Sequence, residues 1–180
     1  MKGVVFTEFL EFVETEHGLD MVDAIITHCD LPSGGAYTSV ATYDVGELFA
    51  LIGELSQRLQ VPVTPLVIEF GRHMFRFFAR KKSVALVHFK SAEQLLEAVE
   101  DQIHVEVRKL YPDAELPSIR FYRVSETQSK VVYHSARPMA DLAEGLILEA
   151  IVHFGDPLDV VRRDTGLRDG TTAEFELNRK

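Results

Sequence analysis

The sequence has a single cysteine, no excess of basic residues and no long apolar run, and each shortage removes a class of protein. Cys29 has no second cysteine with which to close a disulfide, and zinc sites with several cysteine ligands are excluded with it. Such cysteine usage suits a reducing compartment, so a cytoplasmic location is expected. Lys and Arg total 19 against 28 Asp and Glu, a formal net charge of −9. That balance is the opposite of a phosphate-neutralising surface, so no nucleic-acid partner is expected. No apolar stretch approaches the roughly 18 residues that span a bilayer. Met1–Phe12 is broken by Glu8 and Glu11 with no small-residue cleavage site after it. Neither a membrane partner nor a signal peptide is expected.

Motifs for common chemistries are missing as well. The seven histidines include no i, i+4 pair on one helix, and there is no His-Glu-x-x-His or Cys-x-x-Cys pattern. Leu31–Ala36 is glycine-rich but lacks the lysine of a phosphate loop, and no Gly-x-Ser-x-Gly elbow occurs. His28 and Cys29 are neighbours, but adjacent helical residues point about 100° apart, which is not the geometry of a thiol dyad. No enzyme is expected.

What is present describes a globular chain. Apolar residues make up 46% and charged residues 26% of 180 residues, with no repeat and no low-complexity tract. A chain of this length buries about 70% of its unfolded surface and needs no staple to fold. The expectation is one domain over residues 1–180, with a helical part over about 1–112 and a sheet-containing part over about 113–180. Apolar spacing predicts a first helix ended by Gly18, a second over Asp20–His28, and a third from an Asp44 N-cap. A phenylalanine-rich helix over about Leu66–Arg80 follows, apolar round much of its circumference and so buried on more than one side. Ser91 caps a helix running to about Leu110. Strands are predicted near Ile119–Val124, Lys130–Arg137, Leu158–Thr165 and Thr172–Leu177, with a helix over Pro138–Phe154 between the second and third. The fold class is α+β: a helical amino-terminal half followed by an antiparallel sheet with an inserted helix.

Two features carry possible chemistry. In an extended Tyr133-His134-Ser135-Ala136-Arg137, alternation puts Tyr133, Ser135 and Arg137 on one face. Pro138 supports extended geometry in the residue before it. Hydroxyls and a planar guanidinium in a row suit an anionic ligand bearing carboxylates, although the same spacing also describes the exposed polar face of an ordinary strand. On the helix before Pro112, Leu96, Val99, Ile103, Val107 and Leu110 form the apolar stripe. His104 falls at its flank beside Glu100, the position of a ligand or of a plain boundary histidine.

Met1-Lys2-Gly3 at the start, His104 on a long helix followed by Leu116-Pro117, and then Tyr133-x-Ser135-x-Arg137 together resemble the heme-nitric oxide/oxygen binding (H-NOX) family over essentially the whole chain. The resemblance implies heme b as cofactor, with His104 as the iron ligand and Tyr133, Ser135 and Arg137 on the propionates. Pro117 would press on the proximal face, while Phe78 and Val5 would be heme contacts. Those apolar positions equally read as ordinary core. Oxygen-binding members of the family place a tyrosine and other polar donors on the distal side. Ungapped offsets place Leu142, Met74 and Phe9 there, none of them a strong donor, with His73 and Tyr43 as alternatives that would need another route. The resemblance therefore implies a sensor that binds nitric oxide, with carbon monoxide also binding and stable oxygen binding not expected. Nitric oxide would weaken the bond to His104 and shift the angle between the two halves. The chain ends at Lys180 with no effector sequence, so a separate partner is expected: in the bacterial branch, a histidine kinase or a cyclic-di-GMP enzyme. The cysteine-rich zinc site of some bacterial relatives has no counterpart after Cys29. The alternative is a heme-free ligand-binding or interaction module on the same scaffold.

Overall fold

The computed structural model describes residues 1–81, 86–166 and 169–180. Seven α-helices among them are α1 (Gly3–His17), α2 (Leu19–His28), α3 (Val45–Leu59), α4 (Val63–Arg80), α5 (Ala92–Glu97), α6 (His104–Leu110) and α7 (Ala140–Phe154). The strands are β1 (Ser118–Arg123), β2 (Gln128–His134), β3 (Leu158–Asp164) and β4 (Thr172–Arg179). They form one antiparallel sheet in the order β1-β2-β4-β3. This is the expected α+β order, with α7 inserted between β2 and β3.

Local chemistry explains most of the boundaries. Gly18 closes α1 at φ 84°, a conformation that favours a residue with no Cβ. The Asp44 carboxylate accepts from the Gly46 N–H at 2.6 Å and caps α3 as predicted. Ser91 caps α5 through the Gln94 N–H at 3.2 Å. Helix α4 begins earlier than expected and takes in Pro65, because a proline in the first turn has no intrahelical donor to lose.

Three boundaries differ for physical reasons. The helix expected to run from Ser91 to Leu110 is broken by a π turn over Val99–Ile103, in which the Ala98 carbonyl accepts from both Gln102 and Ile103. Strand β2 stops at His134, short of Arg137, where Ser135 Oγ folds back to accept the Arg137 N–H at 3.1 Å. Helix α7 starts at Ala140 rather than Pro138, since Met139 takes a non-helical backbone at φ −121° and ψ 25°; the free Ala140 N–H of the first turn is satisfied by the Gly170 carbonyl.

Two apolar clusters fill the interior. The first joins Phe6, Phe9, Phe12 and Val13 of α1 to α2, α3, Phe70 and Met74 of α4, and Met139. In the second, Leu95 and Leu96 of α5 and Ala143, Ile147 and Ile151 of α7 cover the sheet face made by Val131, Tyr133, Ala173, Phe175 and Leu177. Each fully buried phenylalanine contributes about 2–3 kcal/mol by leaving water. Helix α4 serves both clusters, with Phe70 and Met74 in one and Phe75 in the other, so it is buried on more than one side as its composition predicts. It crosses α7 where Gly71 meets Gly145: a Cβ on Gly71 would lie 2.9 Å from the Gly145 Cα. Glu149 of α7 clamps the same joint by accepting from Arg72 at 3.2 Å and Arg76 at 3.1 Å. No helix among the described residues is long and apolar enough to cross a membrane.

Candidate functional site

The π turn delivers His104 to the first position of α6, its N–H bonded five residues back to the Val99 carbonyl. The residue is 8% exposed, more deeply buried than a position on the flank of an apolar stripe implies. Its Nδ1 is enclosed with no hydrogen-bond partner, 3.4 Å from the Glu100 carboxylate. Burial pushes the imidazole below its usual pKa, while the neighbouring Glu100 works in the opposite direction. A buried, neutral imidazole is the state in which histidine can donate a ring lone pair to a metal. An orphaned buried donor otherwise costs about 1–3 kcal/mol, which argues against a purely structural role.

Glu100 also accepts the Ile119 N–H at 2.5 Å, and Ile119 pairs in register with Tyr133. The histidine is thereby tied to the strand pair that carries Tyr133. Tyr133 is buried in the second cluster, its hydroxyl within reach of Ser135 and the Met139 backbone, and burial pushes its phenol above the usual value. His134 points to solvent and Ser135 back toward the interior, so alternation persists through the turn that replaces the strand end. Arg137 donates to the Glu115 carbonyl at 3.1 Å and pairs with the Glu115 carboxylate. That carboxylate is mostly exposed, and the pairing engages only part of the five-donor fork of the guanidinium. Pro117 is half-buried immediately before β1.

The expected apolar positions gather elsewhere, in the first cluster. Phe9 and Met74 are buried, and Val5, Phe78 and Leu142 pack half-buried against the same group. Met139, whose backbone approaches Tyr133, belongs to that cluster, so the two sets of residues meet at the start of α7. Both alternative polar side chains are engaged away from this junction. His73 Nε2 is 3.3 Å from the Glu8 carboxylate, with its ring against Phe12 and Phe70. The Tyr43 hydroxyl accepts the Thr38 N–H at 2.9 Å, with its ring on Phe6 and Tyr37.

The start of the chain has a structural explanation too. A Cβ on Gly3 would lie 2.9 Å from the Tyr43 ring and closer still to the Thr38 carbonyl. Lys2 reaches across to Asp113 at 2.8 Å, joining the helical part to the segment that leads into β1.

Residues 2–162 match the sequence profile of the Haem-NO-binding family. The chain belongs to that family. It is 36% identical to the Fe(II) unliganded H-NOX protein from K. algicida, with a TM-score of 0.92 over 100% of this chain and 97% of that one. The Fe(II)NO structure of an H-NOX protein from S. oneidensis is 27% identical, with a TM-score of 0.89 over 100% and 99% of the two chains. A Fe(II)CO H-NOX structure from Shewanella woodyi is 36% identical, with a TM-score of 0.84 over 100% and 95%. Among curated proteins, none matches the chain. H-NOX domains are heme-based gas sensors rather than enzymes.

The residues present suit such a group. Among the described residues no cluster of three or more His, Cys, Asp or Glu could hold a bare metal ion. His104 stands alone, as a ligand does when a macrocycle supplies the other nitrogens. Glu115, the π turn and the Gly71–Gly145 crossing were not anticipated from sequence. The two glycines inside helical patterns were the available signal, and nothing in the spacing points to Glu115 or to the π turn.

Proposed function

We propose that this protein is a nitric oxide sensor that holds heme b on His104 and regulates a separate signalling protein, of the histidine kinase or cyclic-di-GMP enzyme class. The observation that carries the reading is the buried His104 imidazole, held through Glu100 and Ile119 beside the strand that carries Tyr133. His104 would hold the iron, and Tyr133, Ser135 and Arg137 would hold the propionates. Pro117 would press on the proximal side, and Val5, Phe9, Met74, Phe78 and Leu142 would cover the opposite face. A ferrous heme held by these residues would supply the iron that binds a diatomic gas.

The apolar side chains assigned to the distal face favour nitric oxide and carbon monoxide over oxygen. Bound oxygen carries partial negative charge and depends on a hydrogen-bond donor; His73 is engaged with Glu8, and the Tyr43 ring packs against Phe6 and Tyr37 with its hydroxyl accepting from the Thr38 amide. The Fe(II)NO and Fe(II)CO relatives support the choice of gases. Gas binding can act on a partner only by its different affinity for the two arrangements of the molecule, and the α4–α7 joint between the clusters is where they would differ.

The test is optical and biochemical. Heme-loaded ferrous protein should change its Soret band with nitric oxide and with carbon monoxide, and give no stable oxygen complex in air. Kinase autophosphorylation or cyclic-di-GMP turnover by the partner should differ between the unliganded and nitric oxide forms. A stable oxygen complex in air overturns the gas preference, and protein that cannot take up hemin supports the heme-free module instead.

A further inference from the structure

We propose that Glu100 is the hydrogen-bond partner of the His104 imidazole and sets the strength of the iron–histidine bond, an inference that rests on the heme reading above. The His104 side chain is nine-tenths buried, and its Nδ1 lacks a partner while Glu100 Oε1 stands 3.4 Å away. That same oxygen accepts the Ile119 N–H at 2.5 Å, so β1 anchors the carboxylate facing the imidazole.

The π turn explains why the contact is close but unmade. Residues four apart face each other on a regular α-helix, whereas a π turn adds a residue to the repeat and offsets such a pair. Here the Ile103 N–H reaches back to Ala98 and the His104 N–H to Val99, five residues each. Glu100 and His104 lie across that widened turn, 3.4 Å apart but not aligned for a hydrogen bond. A small rotation of the imidazole would align the pair without moving either backbone.

A carboxylate on Nδ1–H fixes the proton there, leaves the Nε2 lone pair for the metal and raises its basicity. Because Oε1 also holds the first strand of the sheet, a shift of His104 is transmitted to β1 through one side chain. Glu100 is thus a positioning residue acting through His104. It is also a link between the iron ligand and the strand pair that carries Tyr133.

Resonance Raman of the ferrous heme-loaded protein tests this. The iron–imidazole stretching band should fall in frequency in Glu100→Ala and fall by less in Glu100→Gln, which retains an acceptor for Ile119 but not the charge. Hemin should be released about 10-fold faster or more from Glu100→Ala. A band unmoved in both variants overturns the proposal, and Glu100→Gln decides alone if Glu100→Ala does not fold. Nitrogen-15 NMR of the full chain without heme should show His104 as the Nδ1–H tautomer in the wild type and a mixture in Glu100→Ala. If the wild type takes up no hemin, the heme reading fails while this measurement still decides the Glu100–His104 pairing.

Discussion

Replacing Gly145 by alanine tests the joint between the two cores. A Cβ at Gly145 would lie 2.8 Å from the Gly71 Cα and 3.0 Å from the Arg72 nitrogen, and closer still to the Ile68 carbonyl. Ordinary contact begins near 3.4 Å, and every atom it meets is backbone, so no side chain can swing aside. The helices would have to separate, loosening the packing of Ile147, Met139 and Phe70 on both sides. Overpacking of this kind costs about 3 kcal/mol, at the upper end for inserted methyl groups, because nothing flexible absorbs it. Alanine recovers about 1 kcal/mol of helix propensity over glycine, leaving a net loss of about 2 kcal/mol. For a chain of this size that corresponds to a fall in Tm of about 4–8 °C. Circular dichroism melts of wild type and Gly145→Ala, each with and without heme, measure it. A Tm within 1 °C of wild type, or above it, would refute the reasoning about the crossing.

Other expectations follow from the same contacts. Gly53→Ala in α3 meets nothing within 4 Å, so it should raise Tm by about 2–4 °C, for up to about 1 kcal/mol of helix propensity. Burial pushes the Glu8 carboxyl above its ordinary value of 4.5, so the folded state keeps a proton that the unfolded chain loses first. Its contribution is full below that value and is lost as pH rises through the folded pKa. The stability of Glu8→Gln relative to wild type should therefore increase with pH from about 4.5 upward, as read by urea melts; a difference independent of pH would contradict it. Arg137→Ala should weaken hemin binding about 10- to 100-fold through loss of charge-assisted hydrogen bonds, whereas Glu115→Ala should not weaken it. Hemin transfer rates to an acceptor protein separate the two.

Legibility in the sequence followed the range of the interactions. The α3 cap was legible because Asp44 and Gly46 satisfy each other within two residues. The strands were legible because alternating apolar residues such as Val131 and Tyr133 face one core. The end of β2 was not, since it depends on the Ser135 N–H finding Thr171 and the Ala140 N–H finding Gly170, partners thirty residues and more away. The π turn was equally hidden: the apolar stripe through Leu96, Val99, Ile103 and Val107 reads as an unbroken helix. For the candidate site, Tyr133, Ser135, Arg137 and His104 stood out by residue type and order. Their spacing left a polar strand face and a boundary histidine open. Burial of His104 and Tyr133 argues against those plainer readings, and it is a tertiary property that no local pattern encodes.

The most direct measurement is the absorption spectrum of the ferrous protein after incubation with hemin and reduction, for wild type and His104→Gly, before and after adding nitric oxide. The account predicts a wild-type Soret band that shifts with nitric oxide, and a His104→Gly protein that retains heme only when imidazole is supplied. Wild-type protein that stays colourless, or a His104→Gly protein that binds heme and responds to nitric oxide unaided, would contradict it.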